Sequence, residues 1–218
     1  MHKTRFFDHL ILICGVLFLM TPVIVAFMTS THTAAEIHSK GLMLSPGGHF
    51  AETYTTVLTR QGGFTGQVTG ARMVMNSFIL GIGFAAGKII LSMLAAYAIV
   101  YFRFRMANLA FWIIFTTLLL PLEVRIMPSY QVMTQLGLIN TYTGLIVPLL
   151  ASATGTFYFR QFFKSVPDEL LEAARIDGAG PFKFFIDVLV PLSRTMMAAI
   201  FIIMFVYGWN QYLWPMLM

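Results

Sequence analysis

The sequence predicts an all-α, polytopic membrane protein, a bundle of transmembrane helices, and three observations predict it. Of 218 residues, 58% are hydrophobic and 11% charged, against roughly 25% charged in ordinary soluble domains. Uncharged runs are long: His9 to Ala35, Met106 to Leu122, Ile126 to Phe159 and Thr195 to Met218, with Met73 to Phe102 broken only by Lys88. A bilayer core needs about 20 mostly apolar residues per helix, so these lengths read as spans. Lysine and arginine, finally, concentrate in alternate connections between the runs, as short cytoplasmic loops do.

About five spans are expected, near 9–29, 75–101, 107–127, 139–160 and 191–216. The first follows a short basic start, which also describes a secretory signal. Its apolar stretch exceeds the roughly 7–15 residues of a cleavable core, however, and no small-x-small cleavage site follows. Cys14 is the only cysteine; Ile13 before it is too bulky for a lipoprotein box, and the expectation is a small apolar residue packed in the first span. Pro128, Asn140-Thr141 and Pro148 interrupt the run from Ile126. Polar clusters and proline mark breaks, which puts a turn around Gly137 to Thr141.

With the N-terminus inside, nine basic residues are cytoplasmic: Lys3, Arg5, Arg103, Arg105, Arg160, Lys164, Arg175, Lys183 and Arg194. Lys40, Arg60, Arg72 and Arg125 lie outside, and Lys88 lies within a span. The net charge of +5 is therefore a topology signal and gives no support to nucleic acid as a partner. Three regions follow: an N-terminal transmembrane helix (1–29), a polar, Thr- and Gly-rich periplasmic loop (30–71), and a transmembrane core (72–218) with a cytoplasmic insertion at 164–194. Pro46-Gly47-Gly48 and Gln61-Gly62-Gly63 punctuate the loop, and His32, His38 and His49 read as solvated loop histidines without metal spacing.

The insertion reads KSVPDELLEAARIDGAGPFKFFIDVLVPLSR. Ser165 and Asp168 have the spacing of a capping box before a helix beginning near Val166 and Pro167. Leu170, Leu171, Ala174 and Ile176 alternate with Glu169, Glu172, Arg175 and Asp177, which predicts a short amphipathic helix. Gly178 suits a left-handed terminus. Pro181 starts a second short helix with Phe182, Phe184, Phe185 and Ile186 as its apolar face, and Pro191 is expected to halt it. Two readings of this elbow stay open on composition: a lever seated in a partner's groove, or an amphipathic loop on the membrane surface.

Glu172-Ala173-Ala174, Asp177-Gly178-Ala179, then Phe185, Val188, Val190 and Pro191, with Pro167, Glu169 and Leu170 leading in, resemble the EAA loop of ABC importer permeases. Leu136-Gly137-Leu138, Thr141, Thr143-Gly144-Leu145 and Trp209-Asn210-Gln211-Tyr212-Leu213-Trp214-Pro215 look like the carbohydrate importers of the maltose-transporter type. Gly87-Lys88-Ile89, Leu122-Glu123-Val124-Arg125-Ile126 and Phe159-Arg160-Gln161-Phe162-Phe163 are most similar to the permeases of sn-glycerol-3-phosphate importers. The resemblance runs from about Asn76 to the end. It implies a type I ABC importer permease fold, and Glu169, Glu172, Ala173, Ala174, Asp177, Gly178 and Ala179 as contacts to an ATP-binding subunit. It further implies a homologous second permease, an ATP-binding dimer, a periplasmic substrate-binding protein, and location in the bacterial inner membrane. The family has a sixth span after the tryptophan-rich segment and this chain stops before it, so the expectation is a chain cut short.

For the substrate pathway, Lys88, Arg125, Trp209, Asn210 and Gln211 are the candidates. A charge at mid-span costs about 2.5–3.5 kcal/mol on insertion scales, so Lys88 either attracts an anionic substrate, pairs with Glu123, or snorkels. Arg125 is suited to a bidentate grip on phosphate or pairs with Glu123. Trp209, Asn210 and Gln211 line the cavity or belong to an interfacial aromatic belt. No Gly-x-x-x-x-Gly-Lys-Ser/Thr phosphate loop occurs, so no cofactor is expected on this chain and ATP is expected on a partner. The expected function is a non-catalytic permease for sn-glycerol-3-phosphate or a related polyol phosphate, with a neutral sugar as the alternative substrate. An ion-coupled secondary transporter would leave the elbow unexplained, and a membrane enzyme would need acids or histidines clustered inside the spans.

Overall fold

The computed structural model describes residues 2–62, 66–102 and 104–218; Gly63 and Arg103, which entered the reading above, lie outside the described residues. Contacts divide the chain into two compact units, Met1–Met75 and Asn76–Met218.

In the first unit, α1 (His2–Ser30) is continuous through Pro22 and its most apolar stretch is exposed along its length. Cys14 is exposed with it and does not pack as expected, because nothing within this unit covers the helix there. The segment after it is more ordered than a loop. Thr33 and Glu36 form a reciprocal capping box at the start of α2 (Ala34–Lys40), satisfying amides that a helix start leaves free. The Thr33 amide holds the Glu36 carboxyl below its ordinary range. Then come α3 (Phe50–Thr59) and a two-residue hairpin in which β1 (Gln61–Gly62) pairs antiparallel with β2 (Val68–Thr69), Gln61 opposite Thr69. His32 is half-buried rather than fully solvated, its ring 2.9 Å from the Ser45 carbonyl and 3.4 Å from Glu36.

α4 (Gly70–Tyr101) continues into the second unit; its 32 residues reach about 48 Å at 1.5 Å per residue. α5 (Ala107–Thr116) ends in a 3₁₀ turn, Thr117–Leu119, and α6 (Leu122–Gln135) departs at 104°. Gly137 and Asn140 both take positive φ, 66° and 58°, and Thr141 caps α7 (Tyr142–Ile146) by accepting from the Gly144 amide, so the turn lies where the sequence put it. A 3₁₀ turn at Val147–Leu149 and the cap Ser152 separate α7 from α8 (Ala153–Ser165).

Among the described residues, two helices, Phe6–Ser30 and Gly70–Tyr101, are long and apolar enough to cross a membrane, and counting each bent pair as one span gives up to four. The expected spans at 107–127 and 139–160 are therefore not single helices. The cause is local: Pro121 and Pro148 lack the amide that would carry the ladder onward.

The elbow also departs from its expected boundaries. α8 runs on through Ser165, whose hydroxyl donates back to the Phe162 carbonyl at 2.7 Å. Val166 before Pro167 is extended, as a residue preceding proline tends to be. Hence α9 (Asp168–Ile176) starts at Pro167 with no side-chain cap, and the Ser165–Asp168 capping box does not form. Pro191 does not halt the second helix either. α10 (Pro181–Phe184) widens into a π turn, Phe185–Leu189, and α11 (Val190–Leu192) carries Pro191 within its first turn. A widened turn relieves the clash and missing bond a proline brings. The break falls at buried Ser193, whose hydroxyl donates to the Leu189 carbonyl at 2.6 Å, and α12 (Arg194–Trp209) leaves at 74°. A short α13 (Leu213–Leu217) follows.

The main core joins α4, α8, the elbow and α12: Ala85, Ile89, Met93 and Ala96 meet Phe159 and Phe163, Phe184 and Leu189, and Ile200 and Met204. Small residues set the approach of the helices. A Cβ at Gly155 of α8 would collide with the Ser92 hydroxyl of α4, and one at Gly208 would stand 3.1 Å from the Gly81 Cα. Close backbone approach of this kind is how membrane helices gain packing where lipid supplies no hydrophobic drive. A second cluster gathers Leu80, Phe84, Ile126, Met133 and Leu149 around Trp214, whose indole donates to the Leu145 carbonyl at 3.0 Å.

Candidate functional site

Two places gather the residues singled out in the sequence. The first is the elbow. α9 closes with two bonds, Gly178 amide to Arg175 carbonyl at 3.0 Å and Ala179 amide to Ala174 carbonyl at 2.8 Å, with Gly178 at φ 74°. This is the Schellman arrangement, in which a left-handed glycine satisfies the last carbonyls. Only one side of α9 packs inward: Ala174 is buried and Leu171 partly so, against Phe163, Phe184 and Tyr97. Glu169, Glu172, Ala173 and Asp177 are exposed. Leu170 and Ile176, expected on the packed face, are exposed too, Ile176 to 85%. With Phe182, 76% exposed, Ile176 gives the outer side of the elbow an apolar character flanked by carboxylates.

The elbow is tied to the long helix above it. Tyr97 donates to the Pro181 carbonyl at 2.8 Å and Tyr101 to the Phe163 carbonyl at 3.4 Å, while their rings pack on Phe185 and Phe184. Both tyrosines lie in α4, and nothing in their local sequence distinguished them.

The second place is a cavity of about 380 Å³ that brings together Lys88 and Arg125, with Thr117, Pro121, the 151–154 segment at the start of α8, Met204 and Tyr207. Lys88 is 8% exposed. Its ammonium lies 5.2 Å from the Phe84 ring centre and 4.9 Å from that of Tyr207, a cation–π arrangement. The expected partner is elsewhere: Glu123 is exposed, and among the described residues it forms no ion pair with Lys88 or Arg125, the recorded pairs being His32–Glu36 and His49–Glu52. The break at Pro121 is what brings Arg125 to the cavity.

Trp209, Asn210 and Gln211 do not line it. Trp209 packs edge-on against Phe78 and beside Phe205, and the two amides donate to the Val206 and Tyr207 carbonyls at 2.9 and 3.3 Å, closing the end of α12. Among the cavity residues that the sequence reading missed are Tyr207, Ser152, Thr117 and Met204. Tyr207 stands two positions before Trp209 on the same helix, so the aromatic-rich run pointed to the right element.

Residues 88–218 match the family described as the binding-protein-dependent transport system inner membrane component. The sn-glycerol-3-phosphate transport system permease protein UgpE of Brucella abortus is 50% identical over 212 residues, covering 96% of this chain and 74% of that protein. UgpE of Rhizobium meliloti matches equally well, and that of Escherichia coli O1:K1 is 49% identical over 97% of this chain and 75% of the relative. In fold, the chain superposes with a TM-score of 0.74 on a bacterial ABC transporter involved in import of the acidic polysaccharide alginate, at 23% identity, over 99% of this chain and 74% of that one. The chain thus has the helical permease fold, and it belongs to the binding-protein-dependent transport family of inner-membrane ABC importer permeases, within it to the UgpE type.

Proposed function

We propose that this chain forms half of the translocation pathway of an ATP-driven importer for sn-glycerol-3-phosphate, and that it catalyses no reaction itself. What supports the substrate is half-identity, over nearly the whole chain, to permeases of sn-glycerol-3-phosphate systems. The working assembly contains a homologous second permease, two ATP-binding subunits and a periplasmic binding protein. ATP is held by the partner, since no phosphate loop occurs in this sequence. The N-terminus is cytoplasmic, in keeping with the basic residues flanking the apolar runs.

The elbow supports the coupling role. Glu169, Glu172, Ala173 and Asp177 stand free beside Ile176 and Phe182, while Ala174 and the two tyrosines fasten the inner side to α4 and α8. An ATP-binding subunit gripping the outer side moves the helices fastened to the inner one.

The test is uptake of radiolabelled sn-glycerol-3-phosphate in cells lacking other routes for it, with the chain expressed beside its neighbouring permease, ATPase and binding-protein genes. Uptake should depend on all of them and stop when ATP is depleted. Uptake that survives ATP depletion but stops when the ion gradient collapses would make this an ion-coupled transporter. Uptake of a neutral sugar in place of the phosphoester would reassign the substrate.

A further inference from the structure

The cavity around Lys88 has an unusual balance of charge. Lys88 and Arg125 both border it, and neither has a carboxylate partner among the described residues. A second hollow of about 360 Å³ adjoins it through Thr117, Arg125 and residues 151–153, and adds Ser92 and Thr156. Neither lining contains an aspartate or glutamate. Lys88 is buried and Arg125 exposed; two cations bordering one hollow without a counter-charge repel each other and favour an anion from outside the chain.

A third positive element points the same way. Residues 151–154, which line the cavity, carry the first turn of α8, a helix of 13 residues capped by Ser152. The Ser152 hydroxyl takes the Gly155 amide and its carbonyl the Thr156 amide, so the amides of Ala153 and Thr154 are the ones left without an intrahelical partner, and the helix dipole places partial positive charge there, which together favour an anion. Tyr207 and Phe84 hold the Lys88 ammonium by their ring faces, which steadies a cation without neutralising it. Volumes of this size suit a small molecule.

From these observations we infer that Lys88, Arg125 and the N-terminal turn of α8 form a transit site for the phosphate group of the substrate within the permease itself. The inference rests on the functional reading above and deepens it. The ammonium supplies a point charge, the guanidinium a forked donor pair, and the helix start the remaining donors. The polyol end of the substrate lies toward the hydroxyl-bearing side of the adjoining hollow, at Thr117, Ser92 and Thr156. A neutral sugar gains nothing from the two cations, so the site discriminates by charge.

The experiment titrates sn-glycerol-3-phosphate against the complete importer complex in nanodiscs, without the binding protein, reading phosphorus-31 line broadening. The wild type should bind, inorganic phosphate should compete and glycerol should not. Lys88→Met and Arg125→Gln should each weaken binding at least tenfold, about 1.4 kcal/mol, and Lys88→Arg should restore most of it. Should Lys88→Met fail to assemble by size-exclusion chromatography, Arg125→Gln carries the test alone, since Arg125 is exposed. Wild-type binding in both neutralised variants, or competition by glycerol equal to that by phosphate, overturns the site. Binding seen in phosphatidylcholine discs but lost in phosphatidylglycerol discs assigns the cavity to a lipid headgroup and overturns it as well. Uptake is measured in parallel: its absence in the wild type defeats the functional reading, whereas intact uptake with unaltered binding in the variants defeats only the anion site.

Discussion

The hydroxyl of Tyr97, within the long helix α4, donates to the carbonyl of Pro181, the first residue of α10, at 2.8 Å. It joins a membrane-spanning element directly to the second half of the elbow. A hydrogen bond of this kind contributes about 0.5–1.5 kcal/mol net, small for stability but placed where the coupling movement proposed above would pass. Tyr97→Phe should leave the ring packing on Phe185 intact and lower substrate carried per ATP hydrolysed. An unchanged ratio of uptake to hydrolysis in proteoliposomes would show that Tyr97 transmits nothing through this bond.

The elbow itself gives a sharper test. At Gly178 the space for a Cβ is open but φ is 74°, so any side chain there is penalised by backbone conformation alone, by roughly 1–2 kcal/mol. Proline is worse, because its ring cannot adopt that φ. Gly178→Pro, and Glu172→Lys on the exposed side, should yield chains that insert normally but transport poorly while the partner still hydrolyses ATP. Wild-type uptake by both variants would end the coupling assignment.

Topology is checked by labelling. Ser39 and Ser165 are both exposed, and a cysteine at either is accessible to a membrane-impermeant maleimide once Cys14 is replaced. Ser39→Cys should react from the periplasm and Ser165→Cys only after the inner membrane is opened. The reverse pattern would invert the orientation and move the elbow to the wrong side for an ATPase partner.

Packing of α4 on α8 turns on one small pair. A methyl at Gly155 runs into the Ser92 side chain, and overpacking of this sort costs about 1–3 kcal/mol. Gly155→Ala should lower the thermal stability of the purified complex, and adding Ser92→Gly should recover much of the loss. Equal stability of Gly155→Ala and the wild type would mean that the two helices separate without cost at this point.

Much was legible before any coordinates. Apolar run lengths announced the helical membrane fold, since backbone amides in lipid must be satisfied within the segment, and the polar Asn140-Thr141 pair between Pro128 and Pro148 announced a turn, since proline and polar clusters break helices. Gly178 was legible because a left-handed helix terminus favours glycine. The boundaries at Ser165 and Pro191 were not. A serine three residues before an acid caps a helix only if the previous helix has already ended, and a proline stops one only if no π turn absorbs it; both depend on what packs beneath, here Phe163, Phe184 and Leu189.

The sequence by itself determined which segments are apolar, where the turns need glycine, and that a charged, amphipathic elbow interrupts the core, because these follow from solvation and local backbone geometry. Only the tertiary structure decided the partners of the charges. Lys88 and Glu123 are the obvious pair along the chain, yet the break at Pro121 leaves Glu123 exposed and brings Arg125 to the cavity that Lys88 lines. Electrostatic pairing depends on distance through space, which the bend between α5 and α6 sets and no spacing along the chain records.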